Sequence, residues 1–344
     1  MAEVKLLEEN QYEAWDEFVR AHPEGTFFHL TGWKKVIEKT FGHQSFYFYV
    51  VEGPEIRGIL PLFLIKSPLF GRFLVSVAFA TYGGLLAEDE IAAAGLLASA
   101  QRLTERLGLD YLELRNLYRQ EKGWPTKDLY YTFRKEILPE EEANLKAVPR
   151  KQRRMIRVAR DKYKLKSVIG RYELLDTMYE IYARSVHSLG SPVYPKSLFR
   201  NLLDEFPEAN ILIVYSPEGQ PLAGVLSFYY KDEVLPYYGG SVREGKRLAA
   251  NDFMYWELMR YACQRGYKIF DFGRSKKGTG PFSFKKHWGF EPKPLYYQYY
   301  LCKTKEMPNL SPVNPKFQMF IKLWQRMPFG LTKIIGPKIV KYIP

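Results

Sequence analysis

Short apolar and aromatic runs alternate with amphipathic stretches along the chain, and the same order of patterns occurs twice. In the first copy, strand-like runs precede a predicted helix near 89–107, and Gly108 is placed to end it. In the second copy, similar runs precede a predicted helix near 250–264, with Asn251 as its N-cap and Gly266 after its end. Strands that alternate with helices predict an α/β arrangement.

Two short motifs mark the repeat. Tyr82-Gly83-Gly84 comes before the first predicted helix, and Tyr238-Gly239-Gly240 comes before the second. Each helix is followed by a predicted strand with an acidic residue, so that Glu113 follows Tyr82 by 31 positions and Asp271 follows Tyr238 by 33. Glycine next to a strand permits close backbone approach or a bulge. One such motif indicates only a turn, but two in the same place predict a shared fold feature of two related domains.

Two basic stretches divide and end the chain. Residues 146–171 contain 11 Lys or Arg and one acid, and apolar residues at helical spacing predict an amphipathic helix with a basic face. From Lys303 onward there are eight Lys or Arg and one acid, with an apolar stripe that includes Trp324. That stripe either docks on the protein's own core or lies on an anionic membrane surface. The predicted domains are 1–145 and 146–302, followed by a basic extension, 303–344.

Charge and composition exclude several classes of protein. The formal net charge of +13 favours anionic partners. Two cysteines are too few for a disulfide scaffold or a four-ligand zinc site, and the five histidines show no metal spacing, so no metal is expected. The chain has no G-x-S-x-G motif, which argues against a covalent intermediate. No signal segment and no run of 18 apolar residues is present, so a cytoplasmic protein is expected.

Candidate chemistry lies after the last predicted strand of the second copy. Asp271 ends that strand, and a basic, Gly-rich segment follows it, a place where α/β folds often hold ligands. Lysines there can hold phosphate or neutralise an oxyanion in acyl transfer, although a solvated loop would have a similar sequence.

Arg154 and Arg157 lie within one turn of the basic helix and can grip one diphosphate, unless that face is only solvated.

The order of the motifs resembles a known family along nearly the whole chain. The matching stretches are Thr26-Phe27-Phe28-His29, Phe41-Gly42-His43, Leu60-Pro61-Leu62, Thr81-Tyr82-Gly83-Gly84, Arg153-Arg154-Met155-Ile156-Arg157, Leu189-Gly190-Ser191-Pro192, Tyr238-Gly239-Gly240, Asp271-Phe272-Gly273-Arg274-Ser275, and Phe284-Lys285 with Trp288-Gly289. The chain resembles the FemABX family of aminoacyl transferases, and it looks closest to the FemAB-like branch associated with exosortase (PEP-CTERM) systems.

This resemblance implies a fold and an activity. The fold would be two tandem GNAT-like α/β (α+β) domains, with mixed sheets flanked by helices, plus the basic C-terminal extension. The activity would move an aminoacyl or acyl group onto a primary amine of a cell-envelope precursor, peptidoglycan or exopolysaccharide, without a covalent enzyme intermediate. The family's F-K motif falls on Phe284 and Lys285, which implies that Lys285 binds the reacting end of the donor and stabilises the oxyanion. Its basic helix implies diphosphate contact by Arg154 and Arg157.

The hypothesised site lies in the second domain. Lys285 would stabilise charge, while Asp271 or Tyr238 would orient the attacking amine or take its proton. The expected substrate-binding residues are Arg154, Arg157, Gly239, Gly240, Arg274, Phe284 and Trp288. No bound cofactor is expected, and the co-substrate is either aminoacyl-tRNA or acyl-CoA.

The donor and the partners stay open at this stage. The chain lacks the long helical hairpin that some family members insert for tRNA, while residues 241–249 are basic but lack the R-x-x-G-x-G/A spacing of a coenzyme A loop. One alternative is an acyl-CoA-dependent GNAT N-acyltransferase. Another is a non-catalytic protein that binds polyanions or a membrane surface. The expected partners are a diphosphate-linked amine, tRNA, and the inner face of the cytoplasmic membrane through residues 311–344.

Overall fold

Fifteen strands and twelve α-helices form the part of the chain that the structure, a computed structural model, describes: residues 3–68, 70–118, 121–308 and 315–343, with side chains from 318 in the last segment. The strands are β1 Glu3–Leu6, β2 Ser45–Glu52, β3 Glu55–Ser67, β4 Gly71–Ser76, β5 Leu86–Ala87, β6 Tyr111–Asn116, β7 Tyr130–Glu136, β8 Lys166–Gly170, β9 Asn210–Tyr215, β10 Pro221–Tyr230, β11 Glu233–Ser241, β12 Ile269–Asp271, β13 Ser275–Lys276, β14 Pro292–Pro294 and β15 Tyr296–Leu301.

The helices vary from one turn to more than four. They are α1 Tyr12–Ala21, α2 Thr31–Phe41, α3 Glu90–Arg106, α4 Glu141–Ala147, α5 Arg150–Arg157, α6 Leu175–Ser188, α7 Lys196–Glu205, α8 Arg243–Arg247, α9 Ala250–Gln264, α10 Gly280–His287, α11 Pro315–Arg326 and α12 Phe329–Val340. Short 3₁₀ turns lie at Glu9–Gln11, Phe27–His29 and Tyr172–Leu174, and a π-helical turn lies at Val158–Lys162.

The first compact unit contains Met1–Tyr130, Pro294–Leu310 and Lys341–Pro344. Its sheet has the order β1-β2-β3-β4-β6-β15, with β5 beside β3, and the β4–β6 pair is parallel. The helix α3 packs on this sheet through buried leucines and alanines. Asp89 caps α3 because its side chain accepts a hydrogen bond from the Ala92 amide at 2.8 Å.

The second compact unit contains Tyr131–Lys293 and Ser311–Val340. Its sheet has the order β8-β9-β10-β11-β12-β7-β13, with β14 beside β7, and the β11–β12 pair is parallel. Gly224 and Gly240, which are cross-strand partners, face α6, whereas their neighbour Val225 lies in the apolar cluster that contains α9. Because successive residues of a strand face opposite sides, α6 and α9 cover opposite faces of this sheet.

The two sheets repeat one topology, which confirms the tandem α/β fold. The strands β1, β2, β3, β4, β6 and β15 correspond in order to β8, β9, β10, β11, β12 and β7. The sixth strand of each matched set lies outside the linear repeat, because β7 precedes the other strands of its sheet and β15 follows the second repeat. The compact units therefore differ from the linear division 1–145, 146–302 and 303–344.

The basic segment 146–171 is not one helix, contrary to the sequence prediction. The helix α5 ends at Arg157, a π-helical turn follows, and Lys164 takes a positive φ of 51°, which ends the helical path. The chain then forms β8, which pairs antiparallel with β9. The predicted N-cap of α9 is also wrong: Asn251 lies inside the helix, and the N-cap is Ala249 with φ 57°, because the short α8 leads directly into α9.

The C-terminal helices α11 and α12 dock on α6. Trp324 is buried, Gln325 Nε2 donates to the Ser188 carbonyl at 3.0 Å, and Lys333 Nζ pairs with Glu180 at 2.8 Å. Gly336 lies against the backbone of Val193, where a Cβ would meet the Val193 nitrogen at 2.9 Å. Among the described residues, no helix combines the length and the apolar character needed to cross a membrane.

Candidate active site

An opening between β11 and β12 forms the centre of the candidate site. The two parallel strands pair only at Glu233 with Ile269 and at Val234 with Phe270. The strand β11 then continues to Ser241, whereas β12 ends at Asp271. Within the described residues, the β12-facing edge of β11 therefore has no strand partner after Val234, and its backbone amides and carbonyls face this opening.

The second Tyr-Gly-Gly motif lies inside β11 and is not a turn. A Cβ on Gly240 would overlap the Ser185 side chain of α6, and a Cβ on Gly239 would lie 3.1 Å from Val225 Cγ2. Packing thus explains both glycines, because the missing side chain lets α6 approach Gly240 and the neighbouring strand approach Gly239. Their predicted contact with substrate remains a prediction, and only their backbone lies beside the opening.

Lys285 is a buried amine at the end of β12. It lies on α10, not on a loop as the sequence suggested, and only 8% of the residue is exposed. Its Nζ donates to the carbonyl oxygens of Gly273 at 2.9 Å and Arg274 at 3.1 Å, and it lies 5.5 Å from the centroid of the Phe133 ring. An ammonium group has three donors, so two backbone acceptors leave one for a ligand oxygen.

Burial sets the protonation of this amine. Loss of hydration lowers the pKa of Lys285 to about 7, nearby Asp271 opposes this fall, and Arg274 adds to it. Lys285 therefore changes charge near neutral pH, and any negative charge that develops beside it favours the ammonium form. Such a shift in a buried group that binds the backbone just after a central strand is typical of a functional site.

Asp271 anchors the segment that holds Lys285. Its fully buried carboxylate accepts from the Gly273 amide at 2.7 Å and from Thr132 Oγ1 at 3.2 Å, and it pairs with Arg134 Nε at 3.4 Å. Arg134 also pairs with Glu233 on β11. At least these three partners hold the carboxylate, which suits positioning of the Gly273–Arg274 backbone, and its expected role toward the substrate amine remains a prediction.

The aromatic residues expected at the site differ in their exposure. Phe284 is half-buried and packs against Tyr255, with ring centroids 5.8 Å apart. Trp288 is 0% exposed, and its Nε1 donates to Asp252 Oδ1 at 3.0 Å. The Trp288 ring therefore belongs to the core beneath α10, and its expected role in substrate binding remains a prediction.

Tyr238 lies under α6 and not beside Lys285. Its ring packs against Tyr182, Tyr194, Phe199 and Tyr237 at centroid distances of 4.8 to 6.1 Å. Its hydroxyl has no hydrogen-bond partner among the described residues, and burial raises its pKa well above the ordinary value. A phenol that stays protonated does not accept a proton at neutral pH, so the structure argues against Tyr238 as the base.

Arg154 and Arg157 are exposed on α5, one turn apart. No contact joins them to Lys285 in the described residues. Pro149, just before α5, lies beside Gly289, just after α10, where a Cβ would be 3.2 Å from the proline ring. The N-terminal end of α5 therefore lies near the C-terminal end of α10, and the predicted diphosphate contact remains a prediction.

A second feature is an open basic pocket between α6 and α8, of about 1380 Å³. Its charged lining residues are Arg184, Arg243, Lys246, Arg247, Asp176, Glu180 and Glu244. Ser241, the last residue of β11, also lines it, so the pocket lies at the C-terminal end of β11. The helix α8 lies within residues 241–249, the stretch compared above with a coenzyme A loop. Gly245 lets α8 pack directly on Leu222.

The sequence interpretation missed Thr132, Arg134 and Arg184. Thr132 and Arg134 lie on β7, which the linear division assigned to the first domain, although Arg134 is directly opposite Asp271 in the sheet. Only the alternating pattern of residues around Thr132 and Arg134 could have suggested a strand at this place. Among the described residues, no group of three or more His, Cys, Asp or Glu is arranged to hold a metal ion.

Comparisons with known proteins agree with this fold. Residues 148–286 match the acetyltransferase (GNAT) domain. FemX is 18% identical, covers 93% of this chain and 100% of its own, and has a TM-score of 0.67. A tandem GNAT protein from the clavulanic acid biosynthesis pathway is 12% identical, with 89% and 100% covered and a TM-score of 0.57. L-PGS from Bacillus licheniformis is 13% identical, with 86% and 97% covered and a TM-score of 0.54.

A search of curated protein sequences found no match. The predicted likeness to Fem-type tandem GNAT proteins is thus confirmed in the fold over 93% of the chain, and the GNAT domain in the second half supports an acyltransferase. The proposed link to exosortase systems remains a prediction.

Proposed function

We propose that this acyltransferase moves an aminoacyl or acyl group from an activated donor to a primary amine of a diphosphate-bearing cell-envelope precursor. The observation that carries the proposal is the buried Lys285 amine, held by two backbone carbonyls just after the end of β12, the strand that parts from β11 beyond Phe270. A positive group fixed in a dry site stabilises negative charge more strongly than one in water, and it needs no reorganisation during the reaction.

The proposed reaction is a direct displacement. The neutral amine attacks the acyl carbon, and the carbonyl oxygen becomes an oxyanion that the third donor of Lys285 Nζ stabilises. The new C–N bond forms, the ester or thioester bond to the donor breaks, and the amine proton leaves to the departing group or to water. In this mechanism Asp271 is a positioning residue, because it holds the Gly273 amide while the Gly273 carbonyl holds Lys285.

The basic pocket between α6 and α8 supports a phosphate-bearing substrate. Arg243 and Lys246 are exposed there, so both can turn toward a diphosphate. Acyl-CoA is the donor to test first, because the matching family is an acetyltransferase domain. Aminoacyl-tRNA is the second donor, and its support is the fold shared with FemX alone.

Titration of the purified protein with acetyl-CoA, charged tRNA and uncharged tRNA, at one salt concentration, tests the proposal. Saturable acetyl-CoA binding that Arg243→Gln and Lys246→Gln weaken would identify an acyl-CoA donor. A preference for charged over uncharged tRNA would identify an aminoacyl donor. Lys166→Gln, which removes an exposed charge on β8 outside the pocket, is the matched control. Binding of every polyanion alike, with no preference for either donor, would support the non-catalytic binding protein instead.

A further inference from the structure

The C-terminal helices carry an outward apolar face. The exposed fractions are 68% for Met319, 58% for Phe320 and 58% for Leu323 on α11, and 43% for Leu331 and 65% for Ile334 on α12. These five are among the 12 large apolar residues that are exposed in the described residues, and they fall within 16 positions. Single exposed apolar side chains are ordinary, but a cluster of this density marks an interaction surface.

Docking on α6 does not use this face. On α12, the buried residues Thr332, Gly336 and Val340 recur every four positions and so form the inner face. Leu331 and Ile334 are three positions apart on the opposite side. On α11 Trp324 is buried, whereas Met319 and Leu323, four positions apart, are exposed on the other side of the helix. Phe320 lies one turn before Trp324, at the border of the docked side, and is also exposed. The apolar face therefore stays open after the helices have docked.

Basic side chains border the apolar face. Lys322, Arg326 and Lys338 are exposed, whereas Lys333 is already paired with Glu180 of α6. The sequence from 315 to 343 contains no acidic residue, so nothing within it neutralises these charges. Exposed aliphatic and Phe side chains beside lysine and arginine are typical of helices that lie in a lipid interface. A nucleic acid would match the charge but leave the aliphatic side chains in water.

We propose that the outward face of α11 and α12 binds the surface of an anionic bilayer, with the five apolar side chains inserted at the level of the lipid headgroups. Lys322, Arg326 and Lys338 then lie against the negative charges of the lipid. The helices bind in the plane of the bilayer and do not cross it, in keeping with the described helices.

Membrane binding would also place the basic pocket near the lipid headgroups. Phe329, the first residue of α12, lines that pocket, and the Arg184 guanidinium lies 4.7 Å from its ring centroid. A lipid-linked diphosphate substrate would then reach the pocket from the bilayer. This consequence rests on the proposed function, whereas the membrane binding itself does not.

Flotation of the full chain with vesicles tests the inference. One set contains phosphatidylcholine alone, and the other contains equal parts of phosphatidylcholine and phosphatidylglycerol. We expect binding to the anionic vesicles, weaker binding at high salt, and little binding to the neutral ones. Lys322→Gln with Arg326→Gln should weaken binding about 30-fold, since each basic residue contributes about 1 kcal/mol, which is roughly fivefold in affinity. Lys166→Gln, a charge loss on β8, is the control.

The apolar contribution has its own pair of variants. Leu323→Ser with Ile334→Ser should reduce anionic vesicle binding at least tenfold, whereas Ile91→Ser, an apolar residue of α3 that is 76% exposed, should not. Equal binding to both vesicle types, or wild-type binding by the serine variant, would overturn the inference. The inference would also be overturned if the wild type bound no vesicles and formed a dimer that the serine substitutions dissociate, because a second copy would then cover the face. Donor binding should stay unchanged in these variants, which separates this test from that of the proposed function.

Discussion

The burial of Lys285 predicts an unusual dependence of stability on pH. Lys285→Met keeps the length of the side chain and removes its charge. Because the pKa of Lys285 falls from 10.5 to about 7 in the folded protein, the whole effect on the free energy of unfolding is about 5 kcal/mol, at 1.36 kcal/mol for each pH unit. This figure is an upper limit, since hydration of the site would reduce it.

The sign follows from the protons bound in each state. Between about pH 7 and 10.5 the unfolded chain keeps a proton on Lys285 and the folded chain does not, so the wild-type protein becomes more stable as pH rises. This contribution is complete above the unfolded pKa and is lost as pH falls through about 7. At pH 7 the wild-type protein has not yet gained this stability, because folding still buries a partly charged amine. Lys285→Met buries no charge there and should therefore be more stable than the wild type at pH 7. Its advantage should shrink by about 2 to 3 kcal/mol between about pH 7.5 and 9.5.

Urea unfolding across this pH range, followed by circular dichroism, measures the difference. Subtracting the free energy of unfolding of the variant from that of the wild type, at each pH, removes the contribution of every other titrating group that the two proteins share. Lys286→Met, at the exposed neighbour on α10, is the matched control and should show a constant difference. A constant difference for Lys285→Met as well would refute the argument, because Lys285 would then be as well hydrated in the folded protein as in the unfolded one.

Two further substitutions test how the site is held. Arg134→Met should lower the free energy of unfolding by about 3 to 5 kcal/mol, because it leaves the buried Asp271 carboxylate without its cation; a loss below about 1 kcal/mol in urea unfolding would contradict this. Gly240→Ala should cost about 1 to 3 kcal/mol, because its Cβ would overlap Ser185 of α6. Gly330→Ala, which has open space around its Cβ, is its control, and equal thermal stability of the two variants would count against the packing argument.

The repeat shows why the second unit is the better candidate for the active half. Glu113 in the first copy corresponds to Asp271 in the second, and both are buried. Arg115 neutralises Glu113 directly, with its Nε donating to Glu113 Oε1 at 2.8 Å, and both side chains are almost fully covered. Asp271 pairs with Arg134 and also binds the Gly273 amide, beside the carbonyl that holds the Lys285 amine. Both acids are therefore ion-paired, but that of the second unit also holds the backbone segment that binds a buried lysine.

The sequence predicted the tandem fold because each copy keeps its own local pattern. The predicted helix near 250–264 is α9, and the one near 89–107 is α3 to within a residue at each end. Local patterns failed where distant residues decide the structure. The pattern of the basic run at 146–171 predicts one helix, yet the last part of the run pairs with β9, a partner more than 40 positions away.

The candidate site was predicted in part for the same reason. Lys285 and Asp271 were identified by the resemblance and by their place after a strand, and the structure joins them through Gly273. Arg134 was missed because it is 137 positions from Asp271 and lies on a strand that the linear division assigned elsewhere. Tyr238 is predicted as the alternative to Asp271 for orienting the attacking amine or taking its proton. A strand turns alternate side chains to opposite faces, and that of Tyr238 turns toward α6.

The transfer of a labelled acyl group to a primary amine, measured with the donor that the titration identifies, tests the central claim most directly. The wild type and Lys286→Met should both turn over, and Lys285→Met should lose at least about 100-fold in kcat with little change in KM for the amine, because its charge acts on the developing oxyanion. Wild-type turnover by Lys285→Met would contradict the account, since the acyl oxygen would then be stabilised by another group.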